Sequence, residues 1–169
     1  MRKIFFLLLG TLPFAFYACN NATETASEAK ATNTATDQNL ASFRMVSDAF
    51  KTGDISKIDS AVAADFVDHT ERGDVGRDSI KAMIVMTHQQ MPDMKAEVVK
   101  ELADGDYVFC IQRYTGTSNG QMGMPAGPYD FNAMEVVRFK DGKAVEHWAY
   151  MEPRVMMKMM PPPADAKKK

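Results

Sequence analysis

The sequence contains little cysteine, little tryptophan and no long apolar run. Its 169 residues include two Cys and one Trp, and the 20 Lys plus Arg nearly balance the 22 Asp plus Glu. This balance offers no general attraction for phosphates, so we expect no nucleic-acid partner. Two cysteines cannot supply the disulfide framework of a small secreted scaffold. The length fits one hydrophobic core and is too short for two of useful size.

The first 18 residues, 1–18, have the pattern of a signal peptide. A positively charged start precedes an apolar run at residues 4–9, and Gly10 and Pro13 interrupt this run. The run is too short to form a stable bilayer span, which would need about 20 apolar residues. The segment therefore predicts export of the protein rather than a transmembrane helix.

Cys19 follows the small Ala18, and this junction resembles the lipobox of bacterial lipoproteins. The resemblance implies that the thiol of Cys19 is acylated, and that the lipid holds the exported protein in a membrane of the cell envelope. An ordinary cleaved signal with an incidental cysteine is the alternative. Residues 20–39 contain no large apolar side chain, so we predict that residues 19–39 form the lipidated cysteine and a flexible tether.

Residues 40–153 carry the periodic pattern of one folded domain. Apolar residues recur at helical spacing in three segments, and Pro92 follows the last of them. Beyond Pro92, apolar and polar residues alternate in about four strands that are separated by turn signals. Helices followed by antiparallel strands predict an α+β fold. Residues 154–169 are rich in Met, Pro and Lys and predict a disordered or extended tail.

Residues 136–148, VVRFKDGKAVEHW, resemble the closing hairpin of the SnoaL-like polyketide cyclases, within the nuclear transport factor two-like superfamily. Three shorter stretches fit the same pattern in the same order: ADFVDH at 64–69, GRDSI at 76–80 and DGDYV at 104–108. The resemblance implies a cone-shaped α+β barrel, in which a curved antiparallel sheet packs on about three N-terminal helices. It also implies a deep pocket for a small apolar ligand and a homodimer formed through the sheet, and we expect no cofactor.

Three titratable residues are candidates for catalysis. Strand alternation allows His147 and Glu135 to meet in such a pocket, where a paired imidazole and carboxylate can hold a proton near neutral pH. His69 is the third candidate, because the resemblance places it near the mouth of the cavity. We also predict four residues of the ligand pocket: Arg113, Met124, Met134 and Trp148.

The sequence departs from the family at one position that matters for catalysis. In cyclase-like members an Asp commonly follows the His-Trp pair and acts as the general acid and base, whereas this chain has Ala149. The methyl group of Ala149 can neither donate nor accept a proton, so it cannot replace this Asp. Two functions therefore stay open: binding of a small apolar molecule, or a cyclase or isomerase that works by proton transfer through His147 and Glu135.

Structural explanations compete with these functional ones. His147 could be a core histidine bonded to a backbone carbonyl, and Glu135 could pair with Arg113 or Arg138. We predict no metal site, because His69, His147 and Glu135 lack close ligand spacing. The methionines of the tail favour an apolar arm over capture of Cu(I).

Overall fold

The computed structural model of the chain describes residues 21–121 and 123–159. In this part of the chain, helices and strands follow one another in the order α1 (Asn21–Thr52), α2 (Ile58–Ala61), β1 (Val62–Thr70), β2 (Gly73–Val75), α3 (Arg77–Gln90), β3 (Lys95–Asp104), β4 (Tyr107–Ser118), β5 (Gly127–Lys140), β6 (Lys143–Met151) and α4 (Pro153–Met159). The predicted α+β class, with helices before the long strands, is confirmed.

The six described strands form one curved sheet in the order β2-β1-β6-β5-β4-β3. Most neighbours are antiparallel, but β1 and β6 are parallel. β2 and β3 are its two edges, so the sheet does not close into the expected barrel. The four long antiparallel strands expected after Pro92 are present as β3 to β6, whereas β2 and the parallel pairing of β1 with β6 were not expected. The segment that we expected to be only briefly extended forms β1, whose Val62 and Phe66 are buried in the core.

Helices α1 and α3 pack on the inner face of the sheet. The helices contribute apolar side chains at positions separated by three or four residues, as an amphipathic helix requires. The sheet contributes alternate residues of its strands. The buried core contains, among others, Phe43 and Ala49 of α1, Ile80 and Ile84 of α3, and Val108, Val137 and Phe139 of the sheet.

Helix α1 is longer than predicted at its N-terminal end. It begins at Asn21, so helical backbone occupies most of the segment that we expected to be a flexible tether. The segment is rich in alanine, which has the highest helix propensity, and it continues a helix whose later turns are packed on the core. Two polar side chains of the helix bind turns of the sheet: Asn39 donates to the carbonyl of Gly105 at 3.2 Å, and Ser42 donates to that of Gly142 at 2.6 Å.

Two other predictions concern the ends of the chain. Residues 153–159 form a short helix where we expected a disordered or extended tail. The predicted signal peptide, Cys19 and the rest of the tail lie outside the described residues. Within the described residues, no helix combines the length and the apolar character needed to cross a membrane.

Candidate functional site

A cavity of about 440 Å³ lies between the inner face of the sheet and the helices. Its wall is mostly apolar and comes from α1, α3 and five neighbouring strands of the sheet, β1 and β3 to β6. Residues of this wall include Phe43, Val46, Phe50, Phe66, Ile80, Met83, Met91, Met94, Val137, Phe139, Ala149 and Met151. The structure therefore has an apolar cavity between the helices and the sheet.

Three titratable side chains meet at one place on this wall. The parallel pairing of β1 and β6 sets Asp68 beside His147, and the antiparallel pairing of β5 and β6 sets Glu135 beside Ala149. Nδ1 of His147 lies 2.7 Å from Oδ1 of Asp68, and Nε2 lies 2.7 Å from Oε2 of Glu135. We call Asp68, His147 and Glu135 the acidic triad. The predicted contact between His147 and Glu135 is present, and neither of the structural alternatives for these two residues is observed.

The hydrogen bonds of the acidic triad define its charge. Ionised carboxylates only accept hydrogen bonds, so each of the two contacts to the His147 ring needs one proton. With one proton in each contact, two carboxylates and one imidazolium leave one net negative charge. Moving a proton from the ring to either carboxylate changes where this charge lies and leaves its total unchanged.

The pKa of His147 is raised by its two partners. Burial of the ring favours the neutral form, but the hydrogen bonds to Asp68 and Glu135 and their negative charge outweigh this effect. Together they raise the pKa of His147 from 6.5 to about 9. At neutral pH the ring is therefore cationic, and it holds both carboxylates in place.

Tyr114 extends the acidic triad along β4. Its hydroxyl donates to Oε1 of Glu135 at 2.8 Å, so both oxygens of Glu135 are occupied. Burial, and then the charge of Glu135, raise the pKa of Tyr114 well above its ordinary value, so that this phenol remains protonated. Asp68 differs from Glu135, because no described residue donates to its second oxygen, Oδ2.

His69 and Trp148 lie on the other side of the sheet from the triad. Successive residues of a strand point to opposite faces, so the inward Asp68 and His147 turn their neighbours His69 and Trp148 outward. The His69 and Trp148 rings stack with centroids 4.8 Å apart. Although the His69 position borders the cavity, Nδ1 of its ring contacts Asp74 at 2.9 Å. The prediction that Trp148 lines the pocket was wrong, and the His69 ring is not placed to act with His147.

The other three predicted pocket residues also lie elsewhere. Arg113 follows the buried, cavity-lining Gln112 and therefore points outward, where its guanidinium binds the carboxylate of Asp130 at 2.6 and 2.8 Å. Met134 precedes Glu135 and is 39% exposed on the outer face. Met124 lies in the loop between β4 and β5, away from the wall. The predictions for Trp148, Arg113 and Met134 failed for the same reason. Each residue is next in its strand to an inward residue, and neighbouring residues of a strand point to opposite faces of the sheet.

The outer face of the sheet carries an exposed apolar surface. Strand register sets Leu102 opposite Phe109, and it sets Ile111, Met134 and Tyr150 in one row across β4, β5 and β6. All five side chains are at least one-third exposed. We call these five residues the outer apolar face.

Sequence reasoning missed Asp68 and Tyr114. Both could have been found by extending the alternation: Phe66 and Asp68 share a face of β1, and Cys110, Gln112 and Tyr114 share a face of β4. What could not be found was the parallel pairing that brings Asp68 to His147. It joins residues 79 positions apart in the chain.

The described residues contain no group of three His, Cys, Asp or Glu side chains arranged to hold a metal ion. The set of His69, His147 and Glu135 that we considered is split between the two faces of the sheet. Cys110 is a free, buried core residue, and burial raises the pKa of its thiol to about 11. It is therefore a packing residue rather than a nucleophile.

Solved structures share this fold. IdmH of Streptomyces antibioticus, described as a candidate polyketide cyclase, is 24% identical over 72% of this chain and 97% of its own, with a TM-score of 0.59. AclR of Streptomyces galilaeus, described as a candidate hydroxylase, is 27% identical over 72% of this chain and 94% of its own, also with a TM-score of 0.59. A candidate SnoaL-like polyketide cyclase from Jannaschia sp. CCS1 is 18% identical over 76% of this chain and 94% of its own, with a TM-score of 0.63.

At these low identities, the likeness to IdmH and to the Jannaschia protein shows the fold alone. A search among curated proteins finds no match to the chain. The model of the SnoaL-like polyketide cyclases matches residues 41–158, which is well over half of the sequence. This span includes α3, all six described strands and the acidic triad. The chain therefore belongs to the SnoaL-like polyketide cyclase family.

Proposed function

We propose that the domain binds a small, mainly apolar molecule with one polar group in the cavity between the sheet and the helices. The observation that carries this proposal is an apolar wall interrupted by the acidic triad. Ligand sites are typically cavities of roughly 300–1,000 Å³, mostly apolar, with a few polar groups that fix the ligand's orientation. A volume of about 440 Å³ falls in this range.

Methionine side chains support an adaptable pocket. Four of them, Met83, Met91, Met94 and Met151, belong to the cavity wall. Methionine is unbranched and polarizable, so it repacks around ligands of different shape more easily than leucine or valine. We expect the pocket to accept a series of related molecules rather than a single one.

The binding proposal is tested by filling the cavity. Ala149 belongs to the wall, and Ala149→Phe would place a ring in the space that the ligand occupies. The matched control is Ala82→Phe, on an exposed position of α3. Native mass spectrometry of protein purified from its own host should show a bound small molecule in the wild type and in the control, and none in Ala149→Phe. Wild-type protein that never carries or takes up a small molecule would contradict the proposal.

A second candidate function is proton transfer, which the geometry of Asp68 favours. Both nitrogens of His147 are occupied by carboxylates, so the ring cannot itself take a proton from a ligand. Oδ2 of Asp68 has no described donor, and it would be the atom that removes a proton from carbon beside a carbonyl. In this mechanism Asp68 is the base, and His147 holds Asp68 in position. The sequence instead predicts that His147 and Glu135 transfer the proton.

Deuterium exchange tests the enzymatic candidate. The probe is 2-tetralone in D₂O, in which loss of a proton beside the carbonyl is followed by NMR. Asp68→Asn should reduce catalysed exchange by about 100-fold or more, the usual contribution of a general base. The outer-face variant Asp130→Asn should exchange at the wild-type rate. Exchange no faster with wild type than without protein would reject this candidate and leave the binding proposal standing.

We infer from the Ala18–Cys19 junction that the protein is a lipoprotein of the cell envelope. The helical residues from Asn21 to the buried Asn39 would extend about 27 Å at 1.5 Å per residue. The link between lipid and domain would then be a helical stalk rather than a flexible tether. Cys19→Ser should abolish incorporation of labelled palmitate and release the protein from membranes, whereas Cys110→Ala should retain both. Palmitate incorporation that persists in Cys19→Ser would contradict the anchor.

The outer apolar face supports a further proposal, a homodimer formed through the sheet. Exposed apolar surface concentrated on one face is a feature of association sites. A second copy of the chain would present the same five residues, so a two-fold axis through the face would bury both sets together.

A further inference from the structure

We propose that the ligand of this cavity carries an ammonium group on an apolar body. This inference rests on the proposed binding function and names the chemistry of the ligand. Three features of the cavity support it: the net charge of the acidic triad, the free oxygen of Asp68 and the absence of Lys and Arg from the described wall.

The cavity holds a negative charge that no described basic side chain compensates. The acidic triad carries one net negative charge, and Glu71 adds a further carboxylate at the wall. The described wall contains no Lys or Arg. Charge enclosed by apolar surface is costly without a partner, so a cation that enters the cavity is stabilised there.

Nearby basic residues are engaged elsewhere. Arg138 binds Glu146 on the outer face. Arg77 and Lys81 of α3 both contact Asp59, at 3.1 and 2.6 Å. None of these cations belongs to the cavity wall. The negative charge of the triad is thus available to a ligand.

Asp68 offers a specific acceptor for the ammonium group. The residue is only 4% exposed, it belongs to the cavity wall, and Oδ1 is bound to His147. Oδ2 has no described donor, so it can accept a hydrogen bond from a ligand. A primary ammonium donates three hydrogen bonds and accepts none, which makes it the natural complement of a carboxylate oxygen.

Aromatic rings around the same cavity also favour a cation. Phe43, Phe50, Phe66 and Phe139 contribute to the wall. The faces of such rings are electron-rich and attract ammonium groups, while their bulk packs against an apolar body. A ligand carboxylate would instead meet Asp68 and Glu135 and would be repelled. Fatty acids and other organic anions are therefore the ligands that this cavity rejects.

Three matched probes of equal chain length test the proposal: octylamine, octanol and octanoate. At pH 7 the first is a cation, the second is neutral and the third is an anion. Isothermal titration calorimetry on the wild-type protein should give affinities in the order octylamine, octanol, octanoate, with octylamine at least tenfold tighter than octanoate. Asp68→Asn should weaken octylamine by tenfold or more and octanol by less than threefold. The exposed Asp130→Asn control should leave all three affinities unchanged.

The outcomes separate this inference from the binding function. Equal affinities for the three probes, or tightest binding of octanoate, would overturn the ammonium proposal and leave the apolar pocket intact as a ligand site. Failure of all three probes to bind would overturn both. The comparison on the wild type requires no substitution, so the proposal is decided even if Asp68→Asn does not fold.

Discussion

The hydroxyl of Tyr114 lies 2.8 Å from Oε1 of Glu135, and this contact completes a chain of hydrogen bonds across four adjacent strands. Asp68 on β1 contacts His147 on β6, His147 contacts Glu135 on β5, and Glu135 contacts Tyr114 on β4. The strands lie in the same order in the sheet. The site therefore depends on the correct register of every strand between β1 and β4.

Removing the Tyr114 hydroxyl should destabilise the fold. Tyr114→Phe keeps the ring but leaves Oε1 of the buried Glu135 without its donor. The loss of a buried hydrogen bond to a charged group costs roughly 1–3 kcal/mol. Urea unfolding should show a loss of this size, whereas the exposed Tyr150→Phe should change the free energy of unfolding by less than about 0.5 kcal/mol. Equal effects of the two variants would show that the Tyr114 contact contributes nothing.

Stability should decrease as the pH rises from neutral to alkaline. The pKa of His147 is raised from 6.5 to about 9 in the folded protein, so the folded state binds a proton more tightly than the unfolded state. The contribution of His147 is complete below pH 6.5 and is lost as the pH rises through about 9. Urea unfolding at a series of pH values from 6 to 10 checks this. His147→Gln should remove this component of the pH dependence, and an unchanged profile in that variant would refute it.

Substitution of Gly142 should cost more than substitution of Gly105. Both glycines have positive φ, +73° and +54°, so an added Cβ is strained at either turn. At Gly142 the Cβ would also lie 2.6 Å from Cδ of Gln38, whereas at Gly105 nothing lies within 4 Å. Thermal unfolding should show a larger loss for Gly142→Ala, by about 1 kcal/mol if Gln38 must be displaced.

A double variant isolates the Gln38 contact. In a Gln38→Ala background, Gly142→Ala and Gly105→Ala should cost nearly the same, because the neighbouring side chain is gone. A difference that persists in this background would mean that the backbone strain of the two turns, and not Gln38, sets the cost.

A charge on the outer apolar face should dissociate the proposed dimer. Ile111→Lys places an ammonium in the row formed with Met134 and Tyr150. Light scattering after size exclusion should give a dimer mass for the wild type and a monomer mass for Ile111→Lys. Met86→Lys, at an exposed apolar position on α3, is the matched control and should remain dimeric. A wild-type protein that is monomeric at high concentration would contradict the dimer.

Much of the fold could be predicted from local patterns, and the parts that failed depended on long-range pairing. Alternation along β5 puts Phe131, Ala133, Glu135, Val137 and Phe139 on one face, and the burial of these residues in the structure follows the same period. Periodicity could not show that β1 pairs in parallel with β6, because that pairing has no local signal. Simple alternation along β6 would put Ala144 on the same face as Glu146. The register shift between Arg138 and Phe139 instead turns Ala144 inward, and periodicity has no signal for such a bulge.

The site was predicted in part for a related reason. His147 and Glu135 were found because a two-residue period connects each to the core positions of its own strand. The family resemblance led us to name His69, and not Asp68, as a catalytic candidate. In the structure it is Asp68 that faces the cavity. Arg113 and Met134 failed similarly, since each is next to an inward residue. Asp68 lies two residues after the apolar Phe66, and Tyr114 lies four residues after Cys110. Strand alternation from these two core residues would have identified Asp68 and Tyr114 as inward-facing polar residues, and so as the stronger candidates.

The central position of β6 has a consequence for how the protein folds. β6 is the last strand in the described part of the chain, yet it lies between β1 and β5 and supplies His147. Until it docks, two strands expose unpaired edges and the carboxylates of Asp68 and Glu135 have no cation between them. Pairing over such long sequence separations is slow. Docking of β6 is therefore a late step of folding. A chain that ends before Lys143 would leave the edges of β1 and β5 unpaired and would be prone to aggregate through them.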